Sequence, residues 1–210
     1  MNEPVNEALL AATEEAATFV DKWRARWPEW GIARVFVRAD QRELAEHWFA
    51  LLQEWTAAAS TAEPAPGLAK LAWWQEELRG WAKGARRHPL GARLQKLPVD
   101  WQVIANALPV LARRDQVDTS ELSSLAQALS NAEQTLFDEP RDGSKAIKTT
   151  LANALSQVVS LKADALSEGT RPRRILATIA VTRAANGQAP VPPWTTLRSS
   201  WRAARAHAPG

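Results

Sequence analysis

Apolar residues recur along this chain at intervals of three and four, and no stretch alternates apolar and polar positions between hairpin turns, so the pattern predicts helices throughout. Ala16, Val20, Trp23 and Trp27 form one stripe of a helix over residues 4–27. Pro28 stops it, because a proline ring disfavours helical geometry at the residue before it. After a short link, "PEWGIARVFV", Asp40 and Glu43 have capping-box spacing, and Leu44, Trp48, Leu51 and Trp55 mark the buried side of a helix ending near Ser60. "STAEPAPG" reads as a loop. The next helix contains "KLAWWQEELRGW" (70–81), where Leu71, Trp74, Leu78 and Trp81 share a face and Trp73 points elsewhere.

A short helix is expected after Pro89, then one over 101–114 interrupted at Pro109. "DTSE" (118–121) repeats the capping-box pattern and opens a helix through Leu122, Leu125, Leu129 and Leu136. The turn "DEPRDGS" leads to a long helix over 145–166, and two more are predicted at 171–185 and 194–207. Seven or eight helices without an internal repeat predict an all-α chain, one helical domain over 1–210 with a basic helical segment at 171–210.

Charge changes this picture at one end. Every acidic residue lies at or before Glu168, and seven arginines follow it, so residues 169–210 carry +7 against an overall +3, leaving −4 for the rest. The tail is built to meet anions.

Composition mostly excludes. With no cysteine there is no disulfide framework, thiolate metal site or cysteine nucleophile, which suits a reducing cytoplasm. His47, His88 and His207 are not spaced as metal ligands, and His88, just before Pro89, reads as structural. Glycine-rich phosphate loops, nucleophile elbows and kinase signatures are missing. No basic, apolar leader opens the chain and no run of about 18 apolar residues occurs, so neither export by a signal peptide nor a membrane span is expected. Eleven tryptophans stand beside no tyrosine and one methionine. Most fall on helix stripes and read as core anchors, although large apolar side chains between helices also suit the walls of a cleft for a long hydrocarbon. Glu76 and Glu77 read as partners for nearby arginines.

"RVFVRADQRELAEHWFALLQEW" followed by "GLAKLAWWQEELRGWAKGARRHPLGARL" resembles the amino-terminal half of the squalene and phytoene synthase family. In that family an "F-x-P-x-x-x-R" entry leads to a "Y-A-F-x-R-E" helix, then to "L-x-W-W-R-E-x-L" and "H-P". The matching residues are Phe36, Arg42, Phe49, Ala50, Glu54, Leu71, Trp73, Trp74, Glu76, Leu78, His88 and Pro89, over roughly residues 34–95. "LRSSWRAARA" also looks like the arginine-rich last helix of bacterial relatives. The resemblance implies an isoprenoid-synthase-like helical bundle around a central cavity, here shortened, with Trp48, Leu52 and Trp73 as cavity-lining residues and Arg42, Arg173 and Arg174 as phosphate ligands.

Catalysts of this family carry two aspartate-rich motifs on facing helices, whose carboxylates hold magnesium ions that grip a diphosphate. The first motif should fall at residues 56–60, where Thr56, Ala57, Ala58, Ala59 and Ser60 stand instead. The second follows a glutamine by seven residues. Gln157 is followed by Asp164 and, one turn on, Glu168, so these two are the candidate catalytic and metal-binding pair. Anchoring on "LANA" (151–154) instead puts Ala163 first, and the pair also reads as an exposed acidic face near a helix end. "DEPRD" has acidic spacing, but its proline and following glycine mark a turn.

With one acid cluster missing, a diphosphate loses most of the electrostatic help to its departure. The expectation is therefore a catalytically impaired member that needs no cofactor and binds a prenyl or other apolar ligand, a membrane surface or a protein partner. The family's non-catalytic branch, which includes a mitochondrial complex I assembly factor, shows that the bundle can outlive the chemistry. The alternative is an active, magnesium-dependent transferase on prenyl diphosphates. Two readings of residues 194–207 stand side by side: a helix lying on an anionic membrane, peripheral at the inner membrane, with tryptophans at headgroup level, or ordinary packing with arginines in solvent. Nucleic acid is disfavoured, because Arg79, Lys83, Arg86, Arg87, Arg93 and Lys96 accompany no recognised motif.

Overall fold

Helical stripes need partners, and in the computed structural model they find one another. It describes residues 3–156 and 168–206, with side chains from Glu14 onward except Asp115 and Ser156. Among these residues there are helices and no strands. The α-helices are α1 (Glu3–Arg26), α2 (Trp30–Ala33), α3 (Arg42–Ser60), α4 (Pro64–Ala82), α5 (Gly91–Leu94), α6 (Trp101–Ala107), α7 (Ser123–Phe137), α8 (Ser144–Ser156), α9 (Arg171–Ala185) and α10 (Pro193–Arg205). The chain is all-α. Short 3-10 turns at Arg34–Phe36, Ala39–Gln41 and Leu108–Gln116 join some of them.

α3 is central: it packs on α1, α4 and α8, while α4 packs on α6, α7 on α8, and α9 on α10. The stripe residues Val20, Trp23, Trp48, Leu51, Trp55, Leu71, Trp74, Leu78 and Trp81 all enter one contiguous core. Indoles run through it as a ladder, with ring centroids 6.0 Å apart from Trp55 to Trp74, 6.2 Å from Trp74 to Trp81, 4.8 Å from Trp81 to Trp101 and 6.3 Å from Trp101 to Trp48. Trp23, Trp30 and Phe49 make a second cluster. Trp73 is 37% exposed, as its place off the stripe required.

Local details depart from the sequence expectation at four places. Pro64 and the three residues after it belong to α4 rather than to a loop, since proline in the first turn has its backbone preset for a helix and lacks only a donor that would be unpaired there. The link at 28–37 contains α2 and a 3-10 turn. Asp40 does not cap α3: its carboxylate pairs with Arg38 at 2.8 Å, and the helix begins after Gln41. The second box closes a turn short of the helix: Glu121 accepts from the Asp118 N–H at 2.9 Å and Asp118 from the Ser120 N–H at 2.8 Å, while α7 begins only at Ser123. Pro109 marks the change from α6 to 3-10 geometry. The part of the long helix expected beyond Ser156, with Gln157 and Asp164, lies outside the described residues.

Candidate functional site

Among the described residues five glutamates are buried: Glu29, Glu46, Glu54, Glu77 and Glu133. A buried carboxylate is costly unless charges and donors surround it, so their partners define the polar skeleton of the fold. Glu133 accepts from the Trp48 indole at 2.8 Å and from Arg173, whose Nε is 3.1 Å from both oxygens. Glu46 takes the Trp30 indole at 3.1 Å together with Arg24 and Arg34. Glu77 receives the Trp81 indole at 2.8 Å, the backbone N–H groups of Arg87 and His88 at 2.6 and 2.7 Å, and Arg87 Nε at 3.0 Å. Glu54 sits between Lys22 at 3.2 Å and Lys70 at 2.6 Å. Burial by itself would raise the Glu54 and Glu77 carboxyls, but these partners outweigh it and hold both below the usual carboxylate range.

The sequence did carry a signal for these groups. Glu77 lies three residues after Trp74 and four before Trp81, and Glu133 lies four after Leu129 and three before Leu136, so both occupy apolar stripes. In both the acid accepts an indole N–H, whereas Glu54, buried beside Trp55, is held among the described residues by lysines alone. Glu76 is off the stripe and pairs with Arg79 at the surface.

The three arginines expected from the resemblance to hold phosphate each have partners within the protein. Arg42 donates to the Val37 and Val35 carbonyls at 3.1 and 3.2 Å, closing the turn ahead of α3. Arg174, only 2% exposed, donates to the Ala203 carbonyl at 3.0 Å, to Glu139 at 2.8 Å and to the Gly169 carbonyl, and thereby fastens α10 to α9. Arg173 is neutralised by Glu133, with its guanidinium 5.0 Å from the Phe49 ring centroid.

A cleft of about 170 Å³ opens between α1, α3, α7, α8 and α9. Its apolar walls include Trp27, Phe49, Leu52, Ile147, Leu151 and Leu176, and Arg26, Gln53, Thr56, Thr150 and Arg173 supply its polar atoms. Of the three residues expected to line a cavity, Leu52 lies in the wall of this cleft. Trp48 and Trp73 do not: the Trp48 ring is buried against Trp101, and Trp73 lies against Trp74, His88 and Arg87. Thr56 bonds back to the Leu52 carbonyl at 3.0 Å, whereas the Gln53 side-chain oxygen is buried and meets no donor among the described residues. A second, larger depression of about 420 Å³ beside residues 95–102 presents Lys96 and Asp100 over already buried Trp81 and Trp101, and so offers little apolar wall.

Carboxylates are absent from the described cleft wall. Residues 56–60 contribute Thr56 to it, while Ala58 and Ala59 are buried and Ser60 bonds the Thr56 carbonyl at 2.8 Å. Glu168 pairs with Lys145 at 3.5 Å, and Asp164 lies outside the described residues. "DEPRD" is a turn: Asp142 caps α8 through the Ser144 N–H at 2.9 Å, and Glu139 caps α9 through the Arg171 N–H at 2.6 Å. Among the described residues no three acids or histidines converge on a point that would hold a metal ion. They do not fit a magnesium cluster, which needs oxygen ligands from two facing walls.

His88 packs between Phe19 and Trp74, with centroids at 4.5 and 4.4 Å, and its Nδ1 accepts the Leu90 N–H at 3.2 Å. Burial pulls its imidazole down from 6.5 to about 4, outweighing the attraction of Glu54 and Glu77. A neutral ring so placed is a packing element. Compared with protein-family models, with curated proteins and with solved structures, the chain matches none.

Proposed function

We propose that this chain is a catalytically impaired, squalene/phytoene-synthase-like protein that binds one slender apolar molecule bearing a hydrogen-bond donor, such as a short prenyl alcohol. The observation that carries this reading is the cleft itself, with its apolar walls, and beside it the Gln53 side-chain oxygen, which is buried and meets no donor among the described residues. Size decides against condensation of two long chains. Ligand pockets for drug-sized molecules run to about 300–1,000 Å³ and a cavity of about 150 Å³ holds one benzene, so roughly 170 Å³ encloses about one isoprene unit and leaves the rest of a slender ligand at the open mouth.

The ligand's donor would meet Gln53 Oε1 once that side chain turns toward the cleft, and its hydrocarbon would cover Leu52, Ile147 and Leu151. A reducing cytoplasm is the compartment that fits a cysteine-free binder. No helix among the described residues is long and apolar enough to cross a membrane.

Calorimetric titration tests this with geraniol, its methyl ether and geranyl diphosphate, the last with and without magnesium. Geraniol is expected to bind, the ether about ten-fold more weakly because Gln53 stays unpaired, and Leu151→Trp, which fills the cleft, to bind neither. Steady release of pyrophosphate from the diphosphate would overturn the reading in favour of an active transferase; failure of all three ligands to bind would remove it altogether.

A further inference from the structure

The outer face of α10 holds Trp194, Arg198, Trp201 and Arg205 at successive steps of four, three and four, so indoles and guanidiniums alternate along one stripe, with Arg202 beside it. Trp194 is 75% exposed and Trp201 46%, and the Arg205 guanidinium lies 5.0 Å from the Trp201 ring centroid. The inner face is made of small groups. Thr196, Ser200 and Ala203 are buried, where α10 packs on α9 and α2 and Arg174 holds its last turn. Small residues let the helix lie close, and its largest apolar side chains consequently face outward.

This face carries only one sign of charge. There is no acid in α10 or anywhere after Glu168. A purely solvated surface gains nothing from two exposed indoles, and a dry protein interface would strip water from three guanidiniums that pair with no carboxylate among the described residues. An anionic bilayer satisfies both kinds of group at once, since indoles favour the headgroup level and phosphates neutralise arginines without full dehydration.

We infer that α10 is a docking face for anionic lipid, lying in the plane of the bilayer with Trp194 and Trp201 among the headgroups and Arg198, Arg202 and Arg205 against lipid phosphates. The inference stands on α10 alone and is independent of what the cleft binds.

Flotation of the full chain with phosphatidylcholine vesicles, with or without about one third phosphatidylglycerol, tests it. Binding is expected only to the anionic vesicles and should weaken with added salt. Arg198→Gln/Arg202→Gln/Arg205→Gln should lower partitioning by about 100-fold, at roughly five-fold for each arginine near the surface. Trp194→Ala/Trp201→Ala should lower it by about ten-fold or more while circular dichroism and the melting midpoint stay close to wild type. No binding to anionic vesicles, or loss with the arginine variant alone and none with the tryptophan variant, overturns the proposal. So does tighter retention of a random DNA duplex or polyglutamate than of the vesicles, which would assign the face to a polyanion.

Discussion

Tryptophan explains the placement of charge at the level of single residues. An indole brings a large apolar surface and one N–H that is costly to leave unpaired when buried; here Glu46, Glu77 and Glu133 each take one, while those of Trp55 and Trp74 meet no acceptor among the described residues. The pairing makes Glu133 the most demanding of them, because it also neutralises Arg173, itself 3% exposed. Removing one partner of a buried pair leaves the other charged and uncompensated. Glu133→Ala is expected to destabilise the protein by about 3–5 kcal/mol, measured by urea denaturation. Glu133→Leu combined with Arg173→Met should recover most of that loss, since no isolated charge remains; equal losses in the single and double variants would show that packing rather than charge is responsible.

Between elements, close approach is set by glycine. A Cβ at Gly67 would sit 2.3 Å from the Ala58 carbonyl oxygen, so α4 can lie against the end of α3 only because position 67 has no side chain. The same contact occupies the segment where the family's first acidic motif would stand, which leaves the alanines there serving helix packing. Gly67→Ala should cost about 1–3 kcal/mol through overpacking and shift the two helices apart, read from the denaturation midpoint. The opposite outcome, an unchanged midpoint, would mean that α4 is free to move at this contact. Gly84 serves the chain differently, ending α4 at φ 84° while the Ala85 N–H returns to the Gly80 carbonyl at 2.9 Å.

The response of the whole molecule to acid follows from buried groups on several helices. His88, between α1 and α4, has its pKa lowered in the folded state, so the unfolded chain takes up the proton first. Its contribution is complete above 6.5, declines as pH falls from 6.5 to about 4, and changes no further below that. Glu54, Glu77 and Asp142 have depressed carboxyls, so their contribution is present above the ordinary carboxylate range and is lost as pH falls through their lower folded values. Both effects weaken the fold in acid, and His88 acts first. Urea midpoints measured from neutrality down to about 4 should decline, with His88→Gln flattening the upper part of that decline; a variant as steep as wild type would place the sensitivity elsewhere.

Helix type, the buried stripes of α1, α3, α4 and α7, the break at Pro109 and the lack of acids at residues 56–60 were all legible in the sequence, because periodicity, proline and residue chemistry act locally. Trp73 could be set off the stripe by spacing alone. The roles of the arginines could not. Glu133 meets Trp48 from 85 residues away and Arg173 from 40 residues away, and Arg174 reaches a carbonyl 29 residues on. Whether an arginine is free to hold a phosphate or is consumed by a buried carboxylate depends on which helices lie against each other. Tertiary packing likewise decided that Leu52 lines the cleft while Trp48 fills the core, since both lie on the one helix and differ only in the neighbours they meet.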